Sequence, residues 1–315
     1  QLPAEAVGAV VSGTLEAARS LAAELAARLE AAPGKSPVAA FDGYATADWS
    51  RMINLLSQQL LQRGIALEAV DFREVLKTEE EIHALIDPLL EWDREKDPTL
   101  LYGRIFRGGY EALLDESRAA GFRTRIAGLR SSEGTRRVVV VYGSGCLMPR
   151  MRDLYDVRCY FDVTPKESIL RIRRGEYANL GDRTARPANQ VIRRCYYADF
   201  EMAVHLRGEL LREGLLDYYL CSDHPDRLEL IPRKALEQIF AALALYPFRC
   251  KPVYLEGVWG GFYLKRLRNL PREMKNCAWV FDMIPMEVSL AAVWPGHEIE
   301  VPFFPFVQQQ GEKLL

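Results

Sequence analysis

The run Val138–Val141, inside RRVVVVYGSG, sets four β-branched apolar residues side by side with no polar alternation. A strand with one wet face alternates apolar and polar side chains, because successive residues point to opposite faces. An unbroken run is expected of a central strand covered on both faces, the condition of parallel sheets flanked by helices. The stretch therefore requires a layered α/β domain around it.

The rest of the chain supplies the layers. After Pro33 and Gly34, strand-like stretches (PVAAFDG, IALEAVDF, RRVVVVYGSG, DVRCYFDVT and LDYYLCS) alternate with helix-like ones. The helical candidates are SRMINLLSQQLLQRG, TEEEIHALIDPLLEW, RGGYEALLDESRAAG, PKESILRIRR, NQVIRRCYYADFEMAVHLRGELLREG and RKALEQIFAALALY. Such alternation is the signature of a mainly parallel sheet flanked by helices. Before it, Leu15, Leu21, Leu25 and Leu29 fall near helical spacing in an alanine-rich context, which predicts a helix covering one side of the sheet. From about Phe248 the texture changes to short aromatic and proline-rich stretches typical of β structure. The expected organisation is an N-terminal helix (1–35), an α/β domain (36–247) and a small β-rich segment (248–315).

Composition bounds the function. A net charge of −2 over 315 residues argues against a protein that mainly grips a nucleic-acid backbone. No apolar run reaches the roughly 18 residues of a membrane span. Six cysteines stand apart with no C-x-x-C pair and no secretory signal precedes them, so reduced thiols in a cytoplasm are expected. The chain begins without methionine and ends at GEKLL, and it reads as a fragment of something longer.

Gly43 to Ser50, GYATADWS, follows a strand and opens a helix. The frame is that of the phosphate loop G-x-x-x-x-G-K-[S/T], whose backbone N–H groups cradle phosphate while its lysine reaches the transferred group and its hydroxyl holds magnesium. Ser50 retains the hydroxyl. Asp48 and Trp49 stand where the glycine and the lysine belong. Two readings follow: a working anion site, or a strand-to-helix turn in which Asp48 caps the next helix. PGKS (33–36) holds a lysine but precedes the strand.

Arg171 to Arg194 carries seven arginines against Glu176 and Asp182. Arginine forks suit phosphate oxygens, so this segment could close over an anion; a solvated helix face with surface ion pairs is the other reading. Asp71 and Asp162 fall at strand ends, where open α/β sheets gather ligands and where an acid could accept a proton or hold magnesium. Turn capping is the plainer role for both. GSGCL (143–147) follows the central strand toward the same crevice.

Taken together, FDGYATADWS, EAVDF, VVVVYGSGCLM and RDLYDVRCYFDVTPKESILRIRRGEYANLG resemble the uridine kinase and phosphoribulokinase group of phosphate-loop kinases, over roughly residues 36 to 245. The resemblance implies a P-loop kinase-like fold with Gly43 and Ser50 as remnants of the cofactor-binding loop. It makes Asp71 the acid near a substrate hydroxyl and Arg173 and Arg174 the lid arginines. ATP and magnesium are the implied cofactors, and a small-molecule phosphate compound is the implied ligand, with Lys77 a conceivable substitute for the missing lysine. Near the C-terminus, KPVYLEGVWGGFYLKRLRNLP resembles the opening of class I mannose-6-phosphate isomerases. That family is zinc-dependent, but its metal ligands come later than residue 315, so no metal site is assigned here and His297 is read as structural. The expected function is a kinase-fold domain that binds a nucleotide or sugar phosphate with impaired or no phosphoryl transfer, associated with an isomerase-type protein. An active nucleoside or sugar kinase is the alternative. No nucleic-acid or membrane partner is expected, and a homo-oligomer is allowed.

Overall fold

The computed structural model describes residues 3–93, 95–97, 103–131, 135–183 and 186–243, and farther along the strands Lys251–Pro252, Val288–Trp294 and His297–Pro302. Five parallel strands form the centre: β2 (Val38–Gly43), β3 (Ala66–Asp71), β4 (Arg137–Tyr142), β5 (Val157–Asp162) and β6 (Tyr218–Cys221). β7 (Glu229–Pro232) and the two-residue β1 (Val11–Ser12) extend one edge antiparallel. The order across the sheet is β1-β7-β6-β5-β2-β4-β3.

The valine run behaves as its pattern requires. Val138 and Val140 face one core and Val139 and Val141 the other, and all four are fully buried. Burying each such side chain is worth about 1.5–3 kcal/mol.

On the first face lie α2 (Thr14–Ala31) and α3 (Ser50–Leu61). α2 buries Ala17, Leu21 and Leu25, and α3 buries Met52, Leu56 and Leu60, every fourth residue. The N-terminal helix is thus part of the same layer as α3. The other face is covered by α5 (Glu116–Arg130), α8 (Phe200–Arg212) and α9 (Arg233–Leu243), through Phe122, Ile126, Met202, Leu210, Ile239 and Phe240. α1 (Ala4–Ala9) packs its buried Ala6 on the same side.

Helix ends follow local chemistry. α4 (Glu79–Ile86) opens with a capping box, Thr78 accepting from the N–H of Glu81 while the Glu81 carboxylate accepts from that of Thr78. Asp115 caps α5 by accepting from Arg118 N–H at 2.9 Å. The stretch RGGYEALLDESRAAG, expected as one helix, divides at this cap: a short 3-10 turn over Tyr110–Leu113 precedes α5. The long arginine-bearing helix is also divided, into α7 (Ala188–Arg194), a π turn (Cys195–Asp199) and α8.

In the β-rich segment, β8 (Lys251–Pro252), β9 (Val288–Trp294) and β10 (His297–Pro302) form an antiparallel sheet. The boundary near residue 248, VWGG and the final VQQQGEKLL lie outside the described residues. Among the described residues no helix is long and apolar enough to cross a membrane.

Candidate functional site

The chain leaves β2 toward β3 on one side and leaves β5 toward β6 on the other, although β2 and β5 are neighbours. That reversal opens a crevice beyond their carboxyl ends, the place where open α/β sheets bind ligands. Gly43–Ser50 lies across it. A Cβ on Gly43 would sit 2.6 Å from the Phe161 carbonyl oxygen and 2.8 Å from Ala47 Cβ, so glycine is required by close approach to β5.

Internal bonds hold this loop. Tyr44 N–H donates to the Phe161 carbonyl at 2.9 Å, and Ala47 N–H to the Tyr44 carbonyl at 2.8 Å. The Tyr44 ring is fully buried and stacks on Phe200 at 5.2 Å. Thr46 Oγ1 donates to Ser168 Oγ at 2.7 Å, and Arg171 donates to the Thr46 carbonyl at 2.8 Å and the Ser222 carbonyl at 2.6 Å. At the entrance to α3, Asp48 Oδ1 accepts from Ser50 N–H at 2.9 Å. The helix N-terminus already holds a carboxylate of its own chain. Trp49 donates its indole N–H to the Asp42 carbonyl at 3.4 Å, and its ring lies 6.3 Å from that of Tyr142.

Asp42 is the residue that sequence reasoning missed. Its carboxylate is fully buried at the end of β2. Oδ1 accepts from the N–H groups of Gly43 at 2.7 Å and Gly145 at 2.9 Å, and Oδ2 accepts from Leu147 N–H at 2.7 Å. GSGCL therefore wraps an acid. Gly145, at φ 88°, brings its backbone against the Tyr110 ring, which a Cβ would approach to 2.7 Å. Burial pushes the Asp42 carboxyl up to about 7, against the lowering effect of the three N–H groups and Cys146. FDG alone gave no sign of this, since two of the three donors lie about a hundred residues away in the chain.

Asp71 ends β3 opposite Tyr142, at the same edge of the sheet. It caps the following turn by accepting from Arg73 N–H at 2.8 Å, and the Arg73 fork meets the same carboxylate, with Nε 2.9 Å from Oδ2. Lys77 donates to the carbonyls of Ala112 at 2.7 Å and Leu114 at 2.8 Å, so its ammonium is bound away from the loop. Asp162 is fully paired inside: Arg207 Nη1 lies 2.7 and 3.0 Å from its two oxygens and Tyr219 donates to Oδ2.

The arginine segment splits between interior and surface. Arg171, Arg193 and Arg194 are buried. Arg194 donates to Asp182 Oδ1 at 2.7 Å and the Leu180 carbonyl at 2.6 Å, and Arg193 lies over the Trp92 ring at 5.0 Å. Arg173 and Arg174 are exposed in α6 (Pro165–Arg173) and just beyond it, and the Arg174 fork joins Glu176 at 2.6 Å and Glu167 at 2.7 Å. Ligand atoms of Glu79, His83 and Asp182 lie within 4.8 Å of one another. Two guanidiniums occupy that cluster's charge, with Arg186 Nη2 2.7 Å from His83 Nε2 and Arg194 Nη1 2.7 Å from Asp182 Oδ1. It is an ion network between α4 and the arginine segment.

Residues 18–245 match the model of the family described as Domain of unknown function (DUF8485). The chain belongs to that family. A search of curated proteins finds no match. Solved structures similar to the chain include a protein described as a fructose transport system kinase, from Silicibacter sp. TM1040, at 16% identity and a TM-score of 0.42, covering 60% of this chain and 93% of that one. Another is described as a possible uridine kinase from Bacillus stearothermophilus, at 12% identity and a TM-score of 0.38, covering 64% of this chain and 97% of that one. A D-glycerate 3-kinase from Cryptococcus neoformans is similar at 13% identity and a TM-score of 0.39, covering 60% and 87% of the two chains.

Proposed function

We propose that this domain is a small-molecule-binding module on a phosphate-loop kinase architecture, which does not transfer phosphate through Gly43–Ser50. The observation that carries the proposal is the self-occupied loop. Asp48 takes the N–H of Ser50, and Trp49 turns its indole back to the Asp42 carbonyl. A phosphate approaching this helix N-terminus would meet a carboxylate in place of a lysine, so ATP with magnesium does not fit the loop.

Of the two ligand classes implied by the kinase resemblance, a sugar phosphate is favoured over a nucleotide, since it needs no cradle for a triphosphate. The resemblance of residues 250 to 315 to mannose-6-phosphate isomerases points to the same chemistry. Its support is in the sequence, at VWGG.

Titration calorimetry of the chain with ATP and magnesium, and separately with mannose 6-phosphate, tests the proposal. Saturable binding of the sugar phosphate without saturable ATP binding is the expected result. Saturable ATP binding, followed by ADP release in the presence of a nucleoside or sugar, would instead establish an active kinase with a non-standard loop.

A further inference from the structure

The π turn Cys195–Asp199 interrupts the helix that runs from α7 into α8 and places Asp199 in the interior, 2% exposed. Single π turns inside helices occur often at functional sites. One oxygen of Asp199 is held fast: Oδ2 accepts from Asn179 Nδ2 at 2.8 Å, Tyr177 OH at 3.0 Å and Leu180 N–H at 3.2 Å. Its other oxygen, Oδ1, is buried without a hydrogen-bond partner.

Asp199 has company. Asn179 Oδ1 and Tyr44 OH are also buried and unmatched, and so are Nε and Nη2 of Arg207, whose guanidinium lies 5.4 Å from the Tyr44 ring. Nearby, burial lifts the Tyr110 phenol well above the ordinary range, and the charges of Asp42 and Asp199 lift it further. Buried polar atoms in folded proteins are nearly all paired with protein or ordered water, so unmatched ones on four neighbouring side chains leave room for partners that are water or a ligand.

The chemistry of the unmatched atoms selects that partner. A carboxylate and an amide oxygen need donors, whereas the free guanidinium nitrogens need acceptors. An anion would be repelled by Asp199 and a cation by Arg194, whose Nε lies 3.8 Å from Asp199 Oδ1. A hydroxyl is neutral and both donates and accepts. We propose that Asp199, Asn179, Tyr44 and Arg207 bind the hydroxyls of a neutral polyhydroxylated group, the sugar portion of the ligand. This rests on the small-molecule reading given under Proposed function.

The test is calorimetric titration of the full chain with D-mannose, D-ribose and myo-inositol, with mannose 6-phosphate in a parallel series. At least one unphosphorylated probe is expected to bind saturably. Asp199→Asn and Tyr44→Phe should each weaken that binding about tenfold, as loss of a buried polar contact does. Tyr44→Phe retains the ring stacked on Phe200, so it separates the lost hydroxyl from lost folding. Binding of none of the three probes, or binding unchanged in both variants, would overturn the proposal. So would a crystal structure in which ordered water satisfies Asp199 Oδ1 and is not displaced by a soaked sugar. Mannose 6-phosphate binding that ignores both substitutions would overturn this inference while leaving the proposed function standing.

Discussion

Trp49 hydrogen-bonds through its indole N–H to the carbonyl oxygen of Asp42, 3.4 Å away, so the side chain that stands where a phosphate-loop frame would call for lysine is folded back onto the preceding strand. Beside it, Asp48 fills the helix N-terminus. Restoring the two missing devices together, Asp48→Gly with Trp49→Lys, is expected to create or strengthen binding of ATP with magnesium. Trp49→Lys alone should gain less, because the Asp48 carboxylate still takes the Ser50 N–H and repels phosphate. Calorimetric titration of both variants checks this, and the absence of any gain in the double variant would show that the loop backbone itself is wrong for phosphate.

The architecture was legible because periodicity carries it. Unalternating Val138–Val141 required a central strand, and every proposed strand from PVAAFDG to LDYYLCS contains a strand of the parallel sheet. The edge additions were not legible: two residues at Val11–Ser12 and four ending in Pro232 are too short to set a period, and they are fixed by pairing with each other. At the site, the pattern placed Gly43 at a strand-to-helix turn and Asp71 at a strand end, whereas the close approach of Gly43 to β5 appears only in the fold. It had no means of finding Asp42 or Asp199, because their partners are backbone N–H groups and side chains brought in by the fold.

Asp42 gives the protein a pH dependence of unusual sign. Its folded-state pKa, about 7, lies above the ordinary 3.8, so between those values the folded chain binds more protons than the unfolded one. This acid's contribution to stability is therefore largest below pH ~4 and is lost as the pH rises through about 7. A carbon-13 titration of the Asp42 carboxyl should show a midpoint near 7. A midpoint in the usual carboxylate range would mean that the three N–H donors outweigh burial.

Gly43 and Gly121 should respond oppositely to alanine. At Gly43 the new Cβ meets the Phe161 carbonyl oxygen at 2.6 Å, and forcing it in is expected to cost about 1–3 kcal/mol. At Gly121, inside α5, nothing lies within 4 Å of the added Cβ. Alanine there relieves the helix of a flexible residue and should stabilise by about 0.5–1 kcal/mol. Urea midpoints of the two variants compare them directly.

Arg207 and Asp162 form an ion pair with both side chains fully buried, 2.7 Å apart. Removing one partner leaves an uncompensated charge in the interior, so Arg207→Ala is expected to cost about 3–5 kcal/mol. The double variant Asp162→Asn with Arg207→Met should cost less, since neither charge then remains to be solvated. A second signature separates electrostatics from packing. Burial already raises the Asp162 pKa while Arg207 opposes it, so loss of Arg207 raises it further and lets the acid take up a proton at higher pH. The deficit of Arg207→Ala should accordingly shrink as the pH is lowered. An equal deficit from pH ~8 to ~5 would assign the loss to the guanidinium's packing against Tyr44 instead of to its charge.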